Sequence, residues 1–357
     1  MTRFQIQLHP YRLPLVFPWP GRSRQAVRQR QGWIVRLQWN GLRGWGDCAP
    51  FPSMGTETRE QAEAFLSRWR PAATGSIANT LLDPHITGHS HPAAHHALET
   101  ALLDILTRQQ DIPLRRWLTE EAADRIGVNA MAGSACQQGI DDTAEQGYRI
   151  IKLKIGQQPV ENEIHCLRTL CRNLPPGIRL RLDANGAWSH ETAEKLIHSL
   201  EGLPIESLEE PLASPDLDDL GRLQNETGIP LALDESLKHL PFDEVLDSKL
   251  PRLVIKPALQ GGLQHGYRMA TMAAAAGKEC VVTSLVESAV GIHAAAQLAA
   301  AVDSLSPGLA HGLATSGWLQ KDVARPPPIE AGFMYLSSSP GLGIDEVFPS
   351  PIQNPVS

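Results

Sequence analysis

The sequence predicts an α/β protein in which a parallel β/α barrel follows a smaller α+β unit. Two observations carry this reading. Charged residues end successive strand-like segments: Lys152 and Lys154 in IIKLKIG, Asp183 in IRLRLDANG, Glu209 in IESLEEP, Asp234 in IPLALDES and Lys256 in RLVIKP. From Lys154 onward the steps are 22 to 29 residues, one strand plus one helix, which is the repeat of a β/α barrel. From about Arg125, strand-like and helix-like runs alternate strictly, and eight candidate strands fall before residue 314, enough to close a barrel.

The 357 residues accommodate a barrel of about 250 residues and one smaller unit. The first unit, 1–124, is expected to carry strands at 3–8 and 32–39, followed by the turn-rich GLRGWGDCAPFPSMGTET. A helix from Glu57 to Trp69, with Thr56 as N-cap, comes next. A second runs from Pro92 to Gln109 with proline in its first turn, and Ala97, Leu98, Ala101, Leu102 and Ile105 line one of its faces. Barrel strands are expected at 126–131, 149–155, 178–183, 205–209, 230–234, 252–256, 279–284 and 308–313. The barrel unit spans 125–325, and the tail, 326–357, is expected to return over the first unit.

Composition narrows the function. A formal net charge of -7 offers no general attraction to nucleic acid or to an anionic membrane. No run of about 18 apolar residues exists to span a bilayer. The start, MTRFQIQLHPYR, alternates like a strand and lacks the apolar core of a signal peptide. Five cysteines without a C-x-x-C pair imply reduced thiols and a cytoplasmic location.

The strand-end residues imply chemistry. Acidic residues at the C-terminal ends of barrel strands point to the barrel mouth, where such folds place active sites. Asp183, one glutamate of LEEP and Asp234 on consecutive strands make a hard oxygen site suited to Mg²⁺. Alternation sends Glu209 and Glu210 to opposite sides without telling which faces inward. Three like charges are expected to repel one another in the metal-free protein. Lys152 and Lys154 share a strand face, about 6–7 Å apart, because the outer face takes Ile151, Leu153 and Ile155. Mutual repulsion and desolvation would lower a lysine pKa far enough to make a base. Lys256 lies four strands further on, across the barrel. A base, an opposed cation and a divalent metal between them suit removal of a proton α to a carboxylate, so the expected partner is a small-molecule carboxylate. Two other features read less sharply: the histidines 89, 91, 95 and 96 as a loop cluster or a soft-metal site, and Gly261-Gly262 as a plain helix start or an anion site.

KLK, LDAN, LEEP, LDES and VIKP at these spacings resemble the enolase superfamily. That resemblance implies a modified TIM-type (β/α)7β barrel under an N-terminal α+β capping domain. Within it, GWGDCAPFPSMGTET, VVTSLVESAVG and AHGLATSGWLQKDV are similar to the capping loop and the seventh and eighth strands of the o-succinylbenzoate synthase family. The resemblance implies Asp183, Glu209 and Asp234 as Mg²⁺ ligands, Lys154 as acid/base supported by Lys152, and Lys256 as the cation stabilising an enediolate. It implies substrate contacts at Arg181, Thr283, Ser284, Phe51 and Met54. The implied reaction is loss of water from a succinylated hydroxy-cyclohexadiene carboxylate on the route to menaquinone or phylloquinone. The alternatives on the same scaffold are N-succinylamino-acid racemisation and dipeptide epimerisation. Epimerases of this type carry Asp-x-Asp at the eighth strand, where this chain has His311-Gly312-Leu313.

Overall fold

The structure, a computed structural model, describes residues 4–19, 26–70, 77–81, 90–134, 144–344, 346–348 and 352–353. Strands β1 (Gln5–Trp19), β2 (Val27–Trp39) and β3 (Leu42–Cys48) form an antiparallel sheet in that order. β1 runs well past the expected limit at residue 8. Pro10 and Pro14 sit within its ladder, which an edge strand of the sheet tolerates. β3 lies where the glycines suggest a turn, and packing explains them. A Cβ on Gly44 would lie 2.0 Å from the Ala101 carbonyl oxygen, and one on Gly46 would lie 1.9 Å from that of Ala97. The small residues of the second helix therefore let strand and helix backbones approach.

Helix α1 (Arg59–Arg68) begins at Thr58 rather than Thr56, through a capping box with Gln61. Glu57 instead turns its carboxylate to the amides of Ala93 (3.1 Å) and Ala94 (2.8 Å). Those amides open α3 (Pro92–Gln109), which follows the short α2 (Ile77–Leu81) and has the bounds expected of it. A short α4 (Leu114–Leu118) follows.

The expected first barrel strand is split. β4 (Arg125–Gly127) leaves the barrel, whereas β5 (Ala130–Ser134) joins it. The break falls at Val128 and Asn129, whose amides bond Gly332 O and His311 O, each at 2.9 Å. β5 is followed by β6 (Ile150–Lys154), α5 (Val160–Asn173), β7 (Arg179–Asp183), α6 (His190–Ser199) and β8 (Ile205–Glu209). Then come α7 (Leu217–Asn225), β9 (Leu231–Leu233), α8 (Phe242–Asp247), β10 (Arg252–Ile255) and α9 (Pro257–Gln260). α10 (Leu263–Ala275), β11 (Glu279–Val282) and α11 (Ala289–Asp303) end the series. The parallel sheet runs from β5 to β11 in chain order. In place of a full eighth strand, single parallel bridges close it, Thr283 to Gly312 and His311 to Val128. Beyond the barrel, β12 (Lys321–Asp322), β13 (Ile329–Glu330) and β14 (Phe333–Tyr335) lead into the tail, with β14 pairing antiparallel to β4. Leu342 N then bonds Asp104 of α3 at 2.8 Å. Cys48, Cys171 and Cys280 are free thiols, but Cys166 is disulfide-bonded, so the expectation of reduced thiols fails there. Among the described residues no helix is long and apolar enough to cross a membrane.

Carboxylates join the first unit to the barrel. Glu99 of α3 accepts from the Leu263 amide and from Gln264 Nε2 (3.0 Å), so the chain's own acid fills the helix start at Gly261-Gly262. A Cβ on Gly262 would lie 2.3 Å from that carboxylate. Burial pushes the Glu99 carboxyl up from 4.5 to about 7, against the pull of these bonds. The folded protein therefore binds more protons than the unfolded chain between those values. This contribution to stability is fully present below about 4.5 and falls as pH rises through about 7. Urea unfolding at pH 5 and pH 8 should show that Glu99→Gln flattens this part of the slope, with wild type gaining relative to the variant at the lower pH. A gain at the higher pH would mean that Glu99 is ionised throughout.

Candidate active site

Strand alternation builds the site. Ile151 and Leu153 of β6 are buried on the outer face, which sends Lys152 and Lys154 inward. Lys154 pairs in register with Asp183, and Asp183 with Glu209. Asp234 follows β9 and Lys256 follows β10. One carboxylate oxygen from each of Asp183, Glu209 and Asp234 lies within 4.8 Å of the others, and all three side chains are buried.

The lysines enter this cluster directly. Lys152 Nζ lies 2.8 Å from Asp183 and bonds Glu209. Lys154 Nζ donates to Asp183 (2.7 Å) and to Asn185 Oδ1 (2.6 Å). Lys256 Nζ lies 2.6 Å from Asp234 and 3.7 Å from Glu235. The expected lowering of the lysine pair is overturned at Lys152. Burial works toward it, but Asp183, Glu209 and Asp234 outweigh burial and raise this ammonium above the ordinary lysine value. Lys256 is raised likewise, against burial, by Asp234 and Glu235. Asp183 is held well below the usual carboxylate range because Lys152 and Lys154 overcome its burial. Asp183 is thus neutralised by its lysines, whereas burial and the neighbouring Glu235 and Glu209 push the Asp234 carboxyl up to about 8 against the pull of Lys256 and Lys152, so the expected repulsion persists at that member of the trio. The three acids offer hard oxygens of the kind that bind a divalent metal.

Neighbouring residues support the trio. Glu210 has left-handed backbone (φ 47°). Its carboxylate accepts from Asp234 N (2.6 Å), Ser236 N (3.0 Å) and Ser236 Oγ (2.6 Å). The inward glutamate of LEEP is thus Glu209, and Glu210 anchors the turn that carries Asp234. Asn185 bonds Glu235 Oε1 through Nδ2 at 3.1 Å.

Above the trio lies a pocket. Phe51 and Met54 wall it from the first unit, facing Thr283, Ser284, Thr315 and Trp318, with Lys154, Lys256 and Glu235 at its floor. Arg181 does not line it. One layer deeper, it spends its donors on Glu206 (2.9 and 3.2 Å), Asn129 (3.2 Å) and Ala310 O (2.8 Å), which excludes a substrate contact. Arg252 bonds the same Glu206 and also Glu279 (2.7 Å), extending a charged layer under the trio. Arg30 clasps the mouth from outside, donating to Ala49 O (2.8 Å), Pro50 O (3.1 Å) and Val286 O (3.2 Å), and it lies 4.2 Å over the Phe51 ring. The histidines form no metal group among the described residues. His91 stacks on Phe65 at 5.0 Å and His95 packs tilted against it at 4.6 Å, His96 is buried, and His89 lies outside the described residues.

At Asp183 the pairing reverses the stability expected of a mutually repelling trio. Asp183→Asn leaves Lys152 and Lys154 short of a buried partner and should destabilise the metal-free protein by about 3–5 kcal/mol. Urea unfolding in chelator measures this, and a variant as stable as wild type would show that the lysines do not depend on Asp183.

Residues 135–346 match the family model described as Enolase C-terminal domain-like, and residues 3–101 match that of the MenC N-terminal domain. The chain is similar to o-succinylbenzoate synthase of Enterobacter sp. (strain 638), at 30% identity over 89% of this chain and 93% of that protein. It is similar at 29% identity to the L-Ala-D/L-Glu epimerase of Bacillus subtilis, over 84% of this chain and 85% of the other. The fold matches that of N-succinyl Arg/Lys racemase from Bacillus cereus, with a TM-score of 0.85 and 23% identity over 97% of this chain and 95% of that one. The family match and the likeness to o-succinylbenzoate synthase support a lyase or related enzyme. The chain belongs to the enolase superfamily.

Proposed function

We propose that the chain dehydrates a succinylated hydroxy-cyclohexadiene carboxylate to o-succinylbenzoate, with Mg²⁺ as cofactor, in menaquinone or phylloquinone synthesis. The observation that carries the reading is the placement of Lys154 and Lys256. They lie on the second and sixth of the barrel strands, at opposite sides of the mouth, with the acidic trio between them. Asp183, Glu209 and Asp234 would hold the metal, which when bound supplies Lewis-acid stabilisation of negative charge. Lys154, as the free amine, takes the α-proton at Nζ and the C–H electron pair stays on the substrate. The same lysine then returns a proton to the departing hydroxyl on that face, so water leaves and the ring becomes aromatic. The Lys256 ammonium holds negative charge from the opposite face without moving a proton, and Lys152 adds a fixed positive charge beside the base.

The pocket wall supports a substrate without an ammonium group. Thr283, Ser284, Thr315 and Trp318 present hydroxyls and an indole and no carboxylate, and His311 is buried beneath Gly312. An α-ammonium against these side chains would meet no charged partner, and Glu235, which also lines the pocket, already stands 3.7 Å from Lys256, which disfavours dipeptide epimerisation. N-succinylamino-acid racemisation is the second reading. A lysine on each face favours it, and its acylated nitrogen needs no acidic partner.

Four variants and two kinds of substrate test this. Lys154→Ala should lower dehydration by about 10²–10⁴-fold. Lys256→Arg keeps the charge but cannot act as a base, so its dehydration rate should exceed that of Lys256→Ala. Asp234→Asn should abolish metal-dependent turnover. Initial rates with the cyclohexadiene substrate and with N-succinylamino acids decide between the readings: wild-type racemisation much faster than dehydration would replace the first with the second.

A further inference from the structure

The geometry points to Glu235 as a positioning residue that holds Lys256 directly, and Lys154 through Asn185, when a cation engages the three carboxylates. This rests on the proton-abstraction reading above, and it gives a role to an acid that is neither a proposed metal ligand nor a proposed base.

Glu235 opens the short 3-10 turn Glu235–Lys238 immediately after Asp234. It is 9% exposed and lines the pocket. One oxygen, Oε1, accepts from Asn185 Nδ2 at 3.1 Å and stands 3.7 Å from Lys256 Nζ. The other, Oε2, is buried without a hydrogen-bond partner. Asn185, in left-handed backbone at φ 47°, accepts from Lys154 Nζ at 2.6 Å. Lys154, Asn185, Glu235 and Lys256 therefore form a polar arc from one proposed catalytic lysine to the other that passes outside the metal-ligand trio.

The arc matters because the lysines hold the oxygens a metal would take. Lys154 lies 2.7 Å from Asp183, and Lys256 lies 2.6 Å from Asp234. A cation drawing on those lone pairs weakens both contacts. A lysine rides on a flexible four-carbon stem and keeps a reactive geometry only while something fixes its ammonium. Asn185 already serves Lys154, and Glu235 is the further acid within reach of Lys256. A carboxylate whose sole task was to cap the turn would not leave a buried oxygen unpartnered at the pocket floor, since such orphans cost stability. Here that oxygen is an acceptor in reserve for the Lys256 ammonium.

Glu235→Gln and Glu235→Ala in the full chain test this. Glutamine keeps the acceptor for Asn185 and removes the charge. Both variants should lose about 10–100-fold in kcat, with KM and calorimetric Mg²⁺ affinity within about threefold of wild type. A kcat within about twofold of wild type in either variant overturns the inference, as does loss of Mg²⁺ affinity comparable to that of Asp183→Asn, which would make Glu235 a ligand. If the alanine variant fails to fold, the near-isosteric glutamine carries the test alone. A wild type that racemises N-succinylamino acids but does not dehydrate refutes the dehydration reading, and the racemase kcat then serves the same comparison. Independently of turnover, a crystal structure of the Mg²⁺-loaded wild type should bring Lys256 Nζ within about 3.2 Å of a Glu235 oxygen. A lysine turned away from Glu235 in that structure overturns the inference.

Discussion

Three buried acids share one site here, and three lysine side chains enter it with them. Ions taken from water lose several kcal/mol of solvation each, recovered only when partners are close and well oriented. Strand register supplies that closeness: Lys154, Asp183 and Glu209 are consecutive in-register neighbours, and Lys152 reaches two of the acids from one residue pair lower. The arrangement has a cost for metal binding, because a cation must compete with lysines for the same oxygens. It has a corresponding gain in geometry, since the three oxygens are already gathered within 4.8 Å before any metal arrives. The charged layer of Arg181, Glu206 and Arg252 repeats the principle one step deeper, filling the barrel interior with paired charge.

The first unit is held to the barrel by the same currency used differently: carboxylates aimed at backbone amides. Asp47 accepts from Tyr11 (2.7 Å) and from the Ser288 amide (2.8 Å), and Asp322 accepts from the Ala289 amide (2.9 Å), so two acids meet the start of α11. Glu99 does the same at α10. Helix N-termini carry unsatisfied amides and partial positive charge, so an acid from a neighbouring element satisfies them and fixes the relative orientation of both. That orientation matters to the site because Phe51 and Met54 arrive with the first unit while the lysines arrive with the barrel. Arg30, bonded to carbonyls at Ala49, Pro50 and Val286, ties the two halves of the pocket wall together.

Much of this was legible in the sequence because a β/α repeat writes its chemistry at fixed positions. Strand alternation orients Lys152 and Lys154, and the spacing brings Asp183, Glu209 and Asp234 to one end. What the sequence hid depends on contacts between distant segments. β3 reads as turn until its glycines are seen against the α3 backbone. Thr58 rather than Thr56 caps α1 because Glu57 is drawn off to α3. Arg181 has the alternation of a pocket residue, yet lies a layer too deep and is consumed by Glu206. The choice between Glu209 and Glu210 turns on a left-handed residue that no periodicity reveals.

The division between what the spacing reveals and what it hides is also a division between reaction and substrate. Proton abstraction needs only the floor: lysines on two sides and acids between, all at strand ends. Selectivity needs the wall, assembled from the first unit and from the segments around Thr283 and Thr315, which meet through folding alone. In that wall Ser284 Oγ and Thr315 Oγ1 bond each other at 2.7 Å, and Thr283 Oγ1 is buried without a partner. Hydroxyls of this kind can donate to an acyl or carboxylate oxygen, but they cannot neutralise an ammonium. A substrate bringing a positive charge would pay its desolvation without return, whereas one bringing oxygen acceptors would satisfy a donor that is otherwise stranded. The charged floor is thus fixed by strand ends, and the hydroxyl-lined wall by segments that meet only in the folded chain.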